Sequence, residues 1–256
     1  MTNKDVWRIA LEQSAVDMHC QPEDFLRQDY VITESRASDA ARKYLPLPFA
    51  CDMVSYGSNV VATIDEQYRS IVESYLSRYP VSNALETPHL QVLDEAFAPL
   101  DMGVCFMAEY FLPDVERLTA LPCPYELRVL EPQDFQHLYT ETWSNALCAP
   151  RKQLDRLAVG AYDGEQLIGL AGCSADCESM WQIGVDVLPD YRCRGVASAL
   201  TSRLALEVLE RGKVPFYCSA WCNIKSVRNA IRSGFKPAWV EVTIRSRDLI
   251  DKMNRI

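Results

Sequence analysis

The sequence predicts an α/β protein, and three observations carry that expectation. A short apolar strand, Met180–Val187, passes through a basic turn containing Gly195 into an amphipathic helix. Two strand-like runs at 157–162 and 166–174 are split by Asp163-Gly164, a pair that suits a tight hairpin because such turns need positive φ at the centre. Between further strand-like runs at 59–64 and 105–111, residues 66–79 place Tyr68, Ile71, Val72, Tyr75, Leu76 and Tyr79 on one helical face.

In the first half, 49–56 and 59–64 read as strands around Gly57-Ser58, followed by the 66–79 helix. Thr87-Pro88 sets a cap residue before a proline, and Leu90, Leu93 and Phe97 continue the helix it opens. Residues 105–111 form a further strand. Pro113, Pro122 and Pro124 then mark 112–125 as a connecting stretch. The expected organisation is a smaller N-terminal α/β domain over 1–112, a linker over 113–124, and a second domain over 125–256.

The second half opens with a strand at 126–130, an element around 135–145 and the Asp-Gly hairpin. The strand Met180–Val187 leads through Arg192, Cys193, Arg194 and Gly195 into a helix where Val196, Leu200, Leu204 and Val208 recur every four residues. Arg211-Gly212 ends that helix with a cation and a glycine. A strand over 214–219 follows, and Asn223 to Ser226 open a second helix that closes at Gly234-Phe235. The first turn of a helix leaves backbone N–H groups without intrahelical partners, and its dipole favours negative charge. A glycine there admits a phosphate close to the backbone, and arginines add charge-assisted hydrogen bonds. The turn at 192–198 is thus a candidate diphosphate cradle.

This order, with Val187-Leu188-Pro189-Asp190-Tyr191, Arg192-Cys193-Arg194-Gly195-Val196-Ala197, Asn223 and Gly234-Phe235, resembles the acyl-CoA-binding core of the GNAT superfamily of N-acetyltransferases. The resemblance covers about residues 125–245 and is similar to bacterial members with an N-terminal extension. It implies a mixed, splayed β-sheet flanked by helices. It also implies acetyl-CoA as co-substrate, its pyrophosphate on Arg192, Cys193, Arg194, Gly195, Val196, Ala197 and Ser198. Backbone near Val185 and Val187 would hold the pantetheine and polarise the thioester, with Asn223 and Ser226 touching the same arm. Residues 1–112 lack the Arg-x-x-Gly-x-Ala pattern. They are read either as a degenerate copy that shapes the acceptor pocket or as a packing or dimer module, so a homodimer is left open.

Two positions depart from the family pattern. Trp181 stands where many relatives place a glutamate base, and Ala230 where many place a tyrosine acid. The candidate catalytic groups are therefore Asp186, Glu178 and Tyr217. Asp186 alternates with Val185 and Val187 and faces the other side of the sheet, where a structural role is equally expected. The implied activity is acetyl transfer to an amine of a small molecule, peptide or protein by direct attack. The competing reading is a non-catalytic acyl-CoA-binding or sensing module.

Charge and composition narrow the classes. The net charge is −9, and residues 1–125 hold 9 lysines and arginines against 19 acids, leaving 17 and 16 for the remainder. An acidic chain without a basic stripe argues against nucleic acid, and the acidic first half suits a cationic acceptor. No apolar run approaches a membrane span, and the N-terminus lacks signal-peptide character, so a cytoplasmic location is expected. The 10 cysteines are expected as reduced thiols, no metal site is expected, and His19, His89 and His137 show no ligand spacing.

Overall fold

The computed structural model describes residues 1–255. The chain forms two compact units, one of Met1–Ala10 with Phe111–Pro237, the other of Leu11–Tyr110 with Ala238–Ile256. The domains expected over 1–112 and 125–256 therefore exchange their terminal segments. In chain order the elements begin α1 (Asn3–Met18), β1 (Val31–Glu34), β2 (Cys51–Ser55), β3 (Val61–Ile64), α2 (Arg69–Arg78), α3 (Val81–Ala84), α4 (Thr87–Phe97) and β4 (Met102–Pro113). They continue β5 (Glu126–Leu130), β6 (Asp155–Asp163), β7 (Gln166–Ser174), β8 (Met180–Val187) and α5 (Val196–Glu210). The last are β9 (Val214–Ala220), α6 (Ile224–Arg232), β10 (Phe235–Ser246) and α7 (Arg247–Met253).

In the first unit the strands run β9-β8-β7-β6-β5. β5 to β8 are antiparallel neighbours, and the β6–β7 hairpin closes on Gly164-Glu165 between the paired Asp163 and Gln166, so only the glycine of the Asp-Gly pair takes positive φ, at +62°. The pair β8 and β9 is parallel, joined by the right-length crossover α5. α5 lays Val196, Leu200, Leu204 and Val208 against Leu157, Val159, Ile168, Ala171, Cys173 and Ile183 from alternate positions of the sheet. Leu130, Ala158 and Leu170 face the other way and are covered by Phe135, Trp143, Ala146 and Leu147.

That cover is not a regular helix. Residues 136–154 form separate 3₁₀ turns at Gln136–Leu138, Glu141–Trp143 and Ala149–Leu154. Two carboxylates of the sheet explain this. Asp186 accepts from the N–H of Asn145 and Ala146, and Asp155 accepts from the N–H of Cys148. Backbone donors that a helix would use internally are instead spent on the sheet face. The stretch expected as a linker is docked as well. Asp114 N–H donates to Gly234 O, Leu121 N–H to Ser202 Oγ, and Leu118 is buried in the α5 core. Asn3 of α1 bonds both Asp114 and Val115, which ties the first ten residues to this unit.

The second unit orders its strands β1-β3-β2-β10-β4. Its parallel neighbours, β1 and β3, have no helix between them among the described residues, so the strand–turn–helix crossover of the first unit is not repeated here. One sheet face is apolar: Val72, Tyr75, Leu76, Leu90, Leu93 and Phe97 of α2 and α4 cover Cys51, Met53, Ala62, Ile64, Val242 and Ile244. The opposite face is polar and still buried. Thr63, Asp52 and Thr243 form one row across β3, β2 and β10, with Glu241 beside it. Over this face lie Asp17 and Arg42, joined at 2.5 Å and each 3% exposed. Trp239 is stacked between Tyr56 and Tyr110. Burial pushes the Glu241 carboxyl up to about 7, and burial together with Glu241 pushes Asp52 up as well.

No helix among the described residues is long and apolar enough to cross a membrane.

Candidate functional site

β8 and β9 begin as hydrogen-bonded neighbours and then part. Their register runs from Met180/Val214 to Ile183/Tyr217, yet β8 continues to Val187 and β9 to Ala220. The remaining residues, 184–187 and 218–220, no longer pair with each other, so a wedge opens with backbone edges on both sides. Val185 and Val187, the residues expected to hold a pantetheine arm, lie on one edge and are half-buried. Tyr217 lies at the apex.

At the end of β8 the chain makes the predicted basic turn. Gly195 takes φ +83°, a left-handed conformation that glycine adopts without strain, and Cys193 takes φ +62° despite its side chain. The first intrahelical bond of α5 runs from Ala199 N–H to Gly195 O at 3.0 Å. The N–H groups of Val196, Ala197 and Ser198 precede it and sit at the positive end of the helix dipole. The turn is braced from outside: Arg192 Nε donates to Val187 O at 2.9 Å, and an Arg194 η-nitrogen donates to Tyr125 Oη at 2.9 Å. Those bonds use one donor of each guanidinium, and both side chains remain exposed. A Cβ built on Gly195 would meet only Arg232 Nη2, at 3.8 Å, so the cradle is open.

Arg232 was not legible as part of this turn. It closes α6, thirty-seven positions beyond Gly195 by numbering, and only the packing of α6 on α5 brings its guanidinium there. Asn229 is a second such residue. Ser198 Oγ donates to Asn229 Oδ1, and Asn229 Nδ2 donates to Thr201 Oγ1, each at 3.0 Å, locking α5 to α6.

The other predicted residues fall into three places. Asn223 caps α6, its side chain accepting from Ser226 N–H at 3.2 Å. Ser226 Oγ and Tyr217 Oη are 2.9 Å apart, so the structure joins two residues that the sequence named separately. Burial pushes the Tyr217 phenol up, so it stays protonated at neutral pH. Asp186 faces away from the α5 side, accepting from Asn145 N–H at 2.8 Å, Asn145 Nδ2 at 2.6 Å and Ala146 N–H at 2.9 Å. It is thus a brace for the 144–147 loop. Glu178 is exposed in the turn between β7 and β8, apart from the others.

Beside the wedge is a cavity of about 490 Å³, within the range of small-ligand sites. Its floor is Gly172, Ser174, Gln182, Ile183 and Gly184 of β7 and β8, and its walls come from 139–151. The loop can approach so closely because two glycines lack a side chain: a Cβ on Gly184 would lie 1.8 Å from Asn145 O, and one on Gly172 2.1 Å from Ala146 O. Asp155 and Cys148 complete the lining.

The family model for GNAT acetyltransferases matches residues 60–238. The match starts upstream of the 125–245 segment whose motifs carry the resemblance, and so takes in β3, α2 to α4 and β4. Among solved structures, a GCN5-related N-acetyltransferase from Sphaerobacter thermophilus is 13% identical, with a TM-score of 0.50, over 95% of this chain and 93% of that one. A GCN5-related N-acetyltransferase-like protein from Streptococcus suis is 20% identical, with a TM-score of 0.45, over 60% and 69%. A GNAT-family protein from Novosphingobium aromaticivorans is 19% identical, with a TM-score of 0.40, over 56% of this chain and 66% of its own length. At 13% identity the likeness to the Sphaerobacter protein is one of fold. No curated protein matches the sequence. With the family model matched over more than half its length, the chain belongs to the GNAT acetyltransferase family.

Proposed function

We propose that the protein transfers an acyl group, acetyl in the first instance, from coenzyme A to an amine by direct attack. The observation that carries this reading is the wedge between β8 and β9 leading into the left-handed Gly195 turn. The turn's residues fit a diphosphate: free helix-start N–H groups at 196–198, an open glycine, and Arg192, Arg194 and Arg232 around it. Coenzyme A supplies the acyl group as a thioester, already activated toward amines. The edge of β8 near Val185 and Val187 would hold the arm, with Asn223 and Ser226 across the wedge. Tyr217, protonated and at the apex, is the group placed to give a proton to the departing sulfur. Asp186 holds the loop that walls the acceptor side.

Direct attack is favoured over an acyl-enzyme because Cys148, the thiol in the cavity wall, is pushed up by burial and so is a poor thiolate. Trp181 and Ala230 are the observations on the side of a binding module without turnover. Steady release of free thiol from acetyl-CoA in the presence of an amine distinguishes the two.

Gly195→Asp tests the cradle. A non-glycine residue at φ +83° is strained, and a carboxylate would face the diphosphate. CoA affinity measured by calorimetry is expected to fall by about a hundredfold or more, or about 2.7 kcal/mol. Unchanged affinity in a folded variant would overturn the assignment.

A further inference from the structure

We infer that Asp155 is the proton acceptor for a cationic amine bound in the cavity beside the wedge. The inference rests on the acyl-transfer reading above and names the acceptor class of that same site.

The geometry is the first support. Asp155 pairs with Ser174, and Ser174 with Gln182, so the three occupy one row across β6, β7 and β8 on the face turned toward the cavity. Gln182, Ile183 and Gly184 form the floor where β8 leaves β9. An amine resting on that floor has the opened edge of β8 on one side and Asp155 two strands away on the other. Adjacent strands are about 4.8 Å apart, so Asp155 lies about 10 Å across the sheet from β8, and the proton reaches it through a chain of waters beside Ser174.

Charge is the second support. The lining holds two carboxylates, Asp155 and Glu141, and one cation, Arg151. Arg151 is already engaged, its Nε 3.0 Å from Oδ1 of Asp176, a carboxylate with no exposure. The groups around Asp155 are Tyr139 and Cys148 from the wall, with Lys152 over the Tyr139 ring, Arg151 behind them, and Asp176 from the turn after β7. No guanidinium or ammonium pairs directly with Asp155 among the described salt bridges. A ligand ammonium would supply the missing positive charge. Burial, with Asp176 adding to it, raises the Asp155 carboxyl above the usual range, while bonds from Cys148 N–H and Tyr139 Oη oppose the rise. A base in this position is a better proton acceptor than a solvated aspartate.

The reaction balances as follows. The bound ammonium gives one proton to the Asp155 carboxylate. The neutral nitrogen then attacks the thioester carbonyl, a C–N bond forms and the C–S bond breaks. The nitrogen's second proton ends on the departing thiolate, by way of Tyr217 or directly. Asp155 later returns its proton to water. The protein thus replaces the glutamate absent at Trp181 with a carboxylate two strands away, on the opposite face of the sheet.

Asp155 has a bracing role too: its Oδ2 accepts from Tyr139 Oη at 3.0 Å and from Cys148 N–H at 2.9 Å. The test must separate bracing from proton transfer. Asp155→Asn keeps an acceptor for both donors but cannot take a proton. Tyr139→Phe removes one brace and keeps the carboxylate. Each full-length variant is assayed with acetyl-CoA and a panel of n-propylamine, putrescine, glucosamine and a lysine-containing peptide. Amine binding, CoA binding, melting temperature and the pH dependence of kcat/KM are all measured.

The expected result is a loss of about a hundredfold or more in kcat for Asp155→Asn, within the usual range for a general base. Its acid-side limb in kcat/KM should vanish, with CoA affinity and melting temperature kept. Tyr139→Phe should lower kcat/KM but keep the acid-side limb, because the carboxylate is still there to titrate. The inference is overturned if Asp155→Asn keeps kcat and the pH profile, if Tyr139→Phe loses the acid-side limb as well, or if no amine of the panel binds the parent protein. Failure of the acyl-transfer reading would look different, because CoA itself would then not bind the parent.

Discussion

Arg42→Leu is expected to destabilise the second unit by about 3–5 kcal/mol, the range for breaking one side of a buried ion pair. Arg42 is 3% exposed, bonds Asp17 through both its guanidinium and its N–H, and lies 5.3 Å from the centre of the Trp239 ring. Without it, Asp17, Asp52 and Glu241 share a buried sheet face on which Arg245 is left to offset Asp52. The same cluster makes stability depend on pH. The Glu241 carboxyl ordinarily titrates near 4.5 and is pushed up to about 7 in the folded protein, chiefly by burial. Between these values the folded state holds a proton that the unfolded state has lost. The contribution to stability is therefore full below about 4.5, declines as pH rises to about 7, and is flat beyond. The loss is on the order of 3 kcal/mol, and Asp52 acts in the same direction. Thermal melts at pH 5 and pH 8 should show the lower melting point at pH 8. Glu241→Gln should flatten the difference and Arg42→Leu should steepen it. A melting point that rises over this interval would contradict the assignment.

Gly184→Ala is expected to cost about 1–3 kcal/mol or more and to damage acceptor use more than donor binding. The added methyl would lie 1.8 Å from Asn145 O, and the obstacle is backbone, so no side-chain rotation relieves it. The 144–147 loop has to lift, which breaks the bonds from Asn145 and Ala146 to Asp186 and opens the cavity wall. The diphosphate turn begins at Arg192, beyond the far end of β8, and does not depend on that loop. A raised acceptor KM with CoA affinity retained is the expected split. Equal loss of both would mean that the loop supports the whole sheet rather than the acceptor side alone.

Local chemistry made part of this molecule readable in one dimension. The Asp163-Gly164 turn, the four-residue recurrence from Val196 to Val208, and the glycine before α5 each depend on neighbours a few positions away. The sequence therefore places strand, turn and helix in the right order around the candidate cradle. Helix α1 was not legible, because its buried face mixes Val6, Ala10, Leu11 and Ala15 with Gln13, Ser14 and Asp17. A hydrophobic period cannot register a face whose partners are buried polar groups. The break-up of 136–154 into 3₁₀ turns was hidden for a related reason: between the second and third turns the N–H groups of Asn145 and Ala146 are held by Asp186, some forty residues on, and that of Cys148 by Asp155.

The sequence by itself determined the family signatures, the basic glycine turn, and the two departures at Trp181 and Ala230. Tertiary structure decided where the chain's ends belong, with 1–10 in one unit and 238–256 in the other. It also brought Arg232 to Gly195, joined Tyr217 to Ser226, and set Asp186 to hold the 144–147 loop. Finally, it exposed Asp155 to a cavity that no motif describes. The physical reason is range. Turn geometry and helix periodicity are set by neighbours along the chain, whereas the partner of a carboxylate and the walls of a cavity are set by whichever elements fold over the sheet.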